Sequence, residues 1–222
     1  FYLSNSDDKT RNALKNVLDF VYPYEKSSLI SPKYTVTEIN RLVRDEENEG
    51  FTPSMINPSS DNRRTGIAYH AVMENVDFSM STVSEINYLV KTLVENGVLE
   101  EGDENLVDAN DILRCIQSPV IQEGVKGRYL REKSFMLSLQ AGEVGGDASD
   151  DILVQGTIDL AFFGEENVIV DFKYSGLSDE KLAEKYARQL KTYKIAVTEA
   201  FGVKVDKILL YSFKSGHFIN IK

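Results

Sequence analysis

Gly156-Thr157-Ile158-Asp159-Leu160-Ala161-Phe162-Phe163, followed after a four-residue break by Val168-Ile169-Val170-Asp171-Phe172-Lys173, is the stretch that decides the fold. Both runs are rich in β-branched and aromatic residues, and Gly164-Glu165-Glu166 between them reads as a hairpin turn. Each run carries one aspartate among apolar neighbours, where burial penalises a charge that nothing compensates. A three-residue loop at 164–166 sets Asp159 directly across from Asp171, with their side-chain carbons about 4.5–5.5 Å apart. Two carboxylates at that spacing repel unless a cation bridges them, and oxygen ligands favour Mg²⁺ or Mn²⁺. Side chains alternate along a strand, so Lys173 shares a face with Asp171 and stands beside the expected ion.

Outward from the hairpin, the pattern divides the chain. Residues 179–201 place Leu182, Tyr186, Leu190, Tyr193 and Val197 on one side of a helix that Gly202 stops. A second hairpin, Val205–Lys214 and His217–Ile221, turns at Ser215-Gly216. Upstream, Glu132 to Leu139 alternates loosely and 142–151 reads as a loop. The first half of the chain has helical spacing: residues 4–20, a short segment opened by the Thr35-x-x-Glu38 capping box with Ile39, Leu42 and Val43, and a helix from Thr65 through His70 and Glu74. Another opens at Thr82-x-x-Glu85 and buries Ile86, Leu89, Val90, Leu93 and Val94; Asp108 and Pro119 start two more. Residues 44–64, acidic and aperiodic, read as an exposed or disordered loop. The class expected is α/β (α+β): one domain over 1–222, mostly helical to residue 126, with a strand-rich core over 127–222.

Composition bounds the function. With 35 acidic against 25 basic side chains the net charge is −10, which argues against a broad basic face wrapping nucleic acid but leaves room for a small site fed by another domain. A single cysteine, Cys115, excludes a disulfide framework and a multi-cysteine metal or iron–sulfur centre, and suits a reducing, cytoplasmic compartment. No apolar run is long enough to span a bilayer. The start at Phe1, without Met, reads as a fragment of a longer chain.

Further candidates lie on helices. Gln189 and Tyr193 are i,i+4 neighbours able to reach one target, or a plain helix-surface pair; His70 and Glu74 share that spacing, and a lone histidine near an apolar face is more often structural. His217, in the terminal hairpin, reads as structural. Asp-x-Lys alone is far more often an ordinary exposed charge pattern; the two acids inside one hairpin bring the metal reading to even weight.

Taken in order, Gly66-x-x-x-His70, Gly156-x-x-Asp159, Asp171-x-Lys173 and Gln189-x-x-x-Tyr193 resemble the RecB-like branch of the PD-(D/E)XK nuclease superfamily. Tyr22-Pro23-Tyr24, Thr35-Val36-Thr37-Glu38 and Arg131-Glu132-Lys133-Ser134-Phe135 extend the likeness to the C-terminal nuclease domain of the AddA family of helicase–nuclease subunits. The resemblance implies a restriction-endonuclease-like mixed sheet flanked by helices. It implies that His70, Asp159 and Asp171 ligate Mg²⁺ or Mn²⁺, joined by the Phe172 backbone carbonyl, and that Lys173 is the catalytic lysine. Gln189 and Tyr193 would support the site or touch the DNA backbone, with Glu132 and Glu74 as weaker candidates behind. The family strand ends in an aspartate two residues after the lysine; here Ser175 stands there, so a role for that position is not carried over. Implied partners are single-stranded DNA ends, helicase domains of the same parent chain and an AddB-type subunit, which would hold the iron–sulfur cluster this chain lacks.

The function expected is metal-dependent hydrolysis of phosphodiester bonds in DNA ends during recombinational double-strand break repair. A nuclease-like fold kept as a docking platform for a partner is the alternative, and a stand-alone restriction-type endonuclease is disfavoured by the lack of a basic recognition element.

Overall fold

The computed structural model describes residues 33–36, 38, 60–140 and 151–221. The helix expected over 4–20, the apolar side at 39–43, most of the 44–64 loop and the 142–150 loop fall outside the described residues.

In chain order the elements are β1 (Lys33–Thr35), α1 (Ser60–Asn75), α2 (Val83–Glu95), a 3-10 turn at Asp103–Asn105, α3 (Ala109–Ile116), α4 (Pro119–Gly124), β2 (Arg128–Gln140), β3 (Asp151–Phe163), β4 (Val168–Lys173), α5 (Asp179–Phe201), β5 (Lys207–Ser212) and β6 (His217–Asn220). The class is the mixed α/β one expected: one mixed sheet in the order β1-β3-β4-β5-β6, with β2 also on β3. The β3–β4 and β5–β6 pairs are antiparallel. The β4–β5 pair is parallel, joined across the sheet by α5.

Two expectations move. The helix predicted to open after Thr65 begins at Ser60, so the last residues of the supposed loop are helical. A tertiary anchor accounts for this: the Arg64 Nε donates to the buried Asp103 carboxylate at 2.5 Å, tying the first turn to the 3-10 segment. In addition, the part expected to be helical supplies β1, whose Lys33-Tyr34-Thr35 pairs in parallel with Leu153-Val154-Gln155. Too short to show a period, β1 exists through its partner. The capping box beside it does form: Glu38 N–H donates to Thr35 Oγ1 at 3.2 Å, and Thr35 N–H donates back to the Glu38 carboxylate at 2.7 Å.

Helices α2, α3 and α5 follow their sequence signals. Thr82 and Glu85 cap each other across the start of α2, whose Ile86, Val90 and Leu93 are buried; each side chain contributes up to about 1.5–3 kcal/mol by the area removed from water. Asp108 caps α3, and Ser178 opens α5, which Gly202 ends in the left-handed region at φ 63°. Tyr69 knits α1 to α3: its hydroxyl accepts from Asp108 N–H at 3.1 Å and donates to the Asp111 carboxylate at 3.0 Å.

Two apolar layers sandwich the sheet. Leu160, Phe162, Val170, Phe172 and Tyr211 pack with α1–α4 on one side. Ile152, Val154, Ile158, Ala161, Ile169 and Leu210 pack with Leu182, Leu190 and Val197 of α5 on the other. Along β3, Ile152, Val154 and Ile158 serve the α5 layer, whereas Leu160 and Phe162, of the same parity, serve the α1–α4 layer. β2 does likewise: Tyr129 and Arg131 meet Phe78 of the helical layer, but Phe135, Leu137 and Leu139 lie in the α5 layer. The long β2–β3 ribbon therefore swaps faces between Arg131↔Leu160 and Lys133↔Ile158, where the regular pairing skips Glu132 and Asp159. Glu132 there has φ 45°, left-handed for a non-glycine residue, which explains why 132–139 alternates only loosely in sequence.

Candidate metal centre

The face swap coincides with a fork in the sheet. β2 occupies one edge of β3 throughout, and the other edge takes β1 at 153–155 and β4 at 160–162, leaving Gly156-Thr157-Ile158-Asp159 between them. The β3–β4 register is the one the turn predicts, with Leu160↔Val170, Ala161↔Ile169 and Phe162↔Val168, and the ladder stops one pair short of the aspartates. In place of that pair, Asp159 Oδ2 accepts the Phe172 N–H at 2.7 Å. A backbone donor released at the fork is satisfied by the carboxylate, and the carboxylate is fixed in turn.

Three side chains meet at this point. His70 from α1, Glu132 from β2 and Asp159 from β3 each bring one ligand atom, all within 4.8 Å of one another. His70 Nδ1 lies 3.6 Å from Asp159 Oδ2. Arg131 steadies the group: its Nη1 donates to the Glu74 and Val76 carbonyls at 2.9 and 2.7 Å, holding the end of α1 against β2. Burial, helped by the charges of Asp159, Glu74 and Asp171, pushes the Glu132 carboxyl up to about 8. This is an excess of negative charge, with nitrogen and oxygen donors, in a half-buried setting. Such a donor set fits Mg²⁺ or Mn²⁺.

Asp171, fully buried, sits beside these three and is held from two sides. Lys173 Nζ lies 2.6 Å from its Oδ2, and Gln189 Nε2 donates to its Oδ1 at 3.4 Å. Burial raises the Asp171 carboxyl, Lys173 opposes that and Asp159 reinforces it. Burial alone would lower the Lys173 ammonium, but facing Asp171 and Asp159 it ends above its ordinary value and stays cationic. Its Nζ also donates to the Phe172 carbonyl at 3.3 Å. Gln189 donates to the Tyr193 hydroxyl at 2.8 Å, and burial, then the Asp171 charge, holds that phenol above its usual range and protonated. Both residues are buried behind Asp171, which suits support of that carboxylate, not contact with a strand.

Of the residues singled out in the sequence, the structure thus gathers His70, Asp159, Asp171, Lys173, Gln189 and Tyr193 around one fork. Glu74 lines the open cleft of about 540 Å³ in front of them, with His70 and Lys173. His217 stands apart, 3.7 Å from Asp179 at the start of α5. Glu132, expected only as a background residue, is one of the three that converge. Its signal in the sequence is an acid inside Arg131-Glu132-Lys133, a charged triple that interrupts a strand.

Comparison with known proteins returns the A subunit of the ATP-dependent helicase/nuclease from several bacteria. That of Clostridium acetobutylicum is 30% identical over 246 residues, covering 99% of this chain and 20% of the relative. The protein of Carboxydothermus hydrogenoformans is 31% identical over 221 residues, covering 92% and 18%, and that of Bacillus velezensis 27% over 247 residues, covering 97% and 20%. The chain spans about a fifth of the length of the curated relatives it matches. No protein-family model matches it.

Proposed function

The chain belongs with the A subunits of the ATP-dependent helicase/nucleases, as a segment matching about a fifth of their length, and from that relationship we propose that it is a metal-dependent deoxyribonuclease module of the RecB-like PD-(D/E)XK type. One observation carries the reading: His70, Glu132 and Asp159 converge within 4.8 Å while a buried Asp171–Lys173 ion pair stands alongside. Burying this many acids around one point costs stability, and a bound divalent cation is the simplest reason to keep them.

In this reading His70, Glu132 and Asp159 hold Mg²⁺ or Mn²⁺, with Asp171 and the Phe172 carbonyl as further ligands. The bound ion supplies Lewis acidity, polarising the phosphate and lowering the pKa of a water. The protein's own groups do the rest. Asp159, fixed by the Phe172 N–H, sets the relation of β3 to β4. Lys173, paired with Asp171, presents an ammonium that meets the charge growing on the phosphate oxygens during in-line attack. Gln189 and Tyr193 hold Asp171 in place. The substrate is DNA ends delivered by helicase domains of the same polypeptide, in a repair complex with an AddB-type subunit.

The test is a Mn²⁺ titration of the intact protein together with cleavage of a single-stranded oligonucleotide. Mn²⁺ should bind at millimolar concentration or below, and His70→Ala or Asp159→Ala should weaken it at least tenfold. Asp171→Ala and Lys173→Ala should slow cleavage more than a hundredfold without loss of fold. No Mn²⁺ binding, with cleavage identical in all variants, overturns the proposal in favour of a docking platform.

A further inference from the structure

We infer that the cleft is the track of a single nucleic-acid strand, with Arg63 and Lys185 binding the phosphates on either side of the one presented to Lys173. This rests on the nuclease reading and adds to it residues outside the motifs. The two cations stand on opposite walls, Arg63 on the first turns of α1 and Lys185 on α5, and both line the cleft. Neither has an ion-pair or hydrogen-bonding partner among the described residues, in a chain whose acids outnumber its bases by 35 to 25. Both cations are thus open to an outside anion at the opening that leads to Lys173.

Tyr186 makes the arrangement specific. Its ring is met by Lys173 Nζ at 4.9 Å from the centroid and by Lys185 Nζ at 5.3 Å. The ammonium of the reaction centre and the ammonium of the rim thus share one ring, within reach of a single strand. Glu74 shares the lining with these cations, and Glu132 and Asp159 belong to the ion site beside it. A cleft of about 540 Å³ has room for a nucleotide or two of one strand. Attraction for a strand is then local to this opening, in a chain whose overall charge is −10.

The experiment uses the intact protein in Ca²⁺, with a short oligonucleotide carrying 5-iodouracil as a single strand or as a hairpin duplex. Photo-crosslinks in the peptides holding Tyr174 and Tyr186 report cleft occupancy and ignore binding elsewhere. The single strand should crosslink there and the duplex should not. The double variant Arg63→Ala/Lys185→Ala should cut the yield at least fivefold and flatten its salt dependence by about 1.4 in the logarithmic slope, about 0.7 for each lost phosphate contact. The conservative pair Arg63→Lys/Lys185→Arg should restore the slope, with Mn²⁺ affinity unchanged in both. An unchanged slope, or crosslinks from the duplex alone, overturns the inference. If the slope responds but no variant of the metal residues alters cleavage, the strand track stands and the nuclease reading falls; the converse pattern removes the track alone.

Discussion

Glu132 carries more physical tension than any other residue at the site. Its backbone sits at φ 45°, a region that costs a side chain about 1–2 kcal/mol and glycine little. Its carboxyl is also held up to about 8, mainly by burial. A residue that bears both costs and stays is doing something a relaxed one would not, and here its oxygen reaches the His70–Asp159 group. Glu132→Gly should therefore match or exceed the wild type in thermal stability at pH 8 while lowering Mn²⁺ affinity at least tenfold; calorimetry and titration on one preparation check both. The sign of the pH effect follows from the raised value. Between the ordinary carboxyl range and about 8 the folded chain holds a proton that the unfolded chain has released, so this group's contribution falls as pH rises through that window. Without metal, the stability difference between Glu132→Gln and wild type should grow in the variant's favour from pH 5 to pH 8, read by urea melts. A difference flat across that range would show that the carboxyl is unperturbed.

At the scale of elements, the fork depends on Gly156. A Cβ there would lie 2.7 Å from Phe135 Cζ and 2.9 Å from Val36 Cγ2, closer than side chains tolerate. Phe135 in turn packs edge-on against Tyr193, centroids 5.7 Å apart, and Tyr193 bonds Gln189 beneath Asp171. Gly156→Ala should cost about 1–3 kcal/mol by overpacking and slow cleavage as well, whereas adding Phe135→Leu should recover most of the stability; a fully stable single variant would disprove the contact. Elements of this kind differ in how far a sequence displays them. The hairpin register, the α5 boundaries and the capping boxes are legible because local chemistry sets them: turn length, Ser178, Gly202, Thr82 with Glu85. The start of α1 and the existence of β1 are not, because Arg64 with Asp103 and the pairing to β3 act across long stretches of chain. Glu132 reads as a background residue for the same reason. Strict alternation assigns it a face, and only the swap of faces in the ribbon turns it toward His70.

For the whole molecule, the acids gathered at the fork would make the proposed ion a contributor to stability. Saturating Mn²⁺ should raise the melting temperature, and the rise should vanish in Asp159→Ala. A scan in which both proteins shift alike would place the ion elsewhere. The crossing of β2 and β3 from one apolar layer to the other has a further consequence. Because the same two strands floor both halves of the interior, neither half can come apart and leave the other a complete wall. Backbone amides of α3, on one side, and of α5, on the other, should therefore exchange with deuterium through a common opening of equal free energy, the molecule yielding as one cooperative unit despite its two separate interiors.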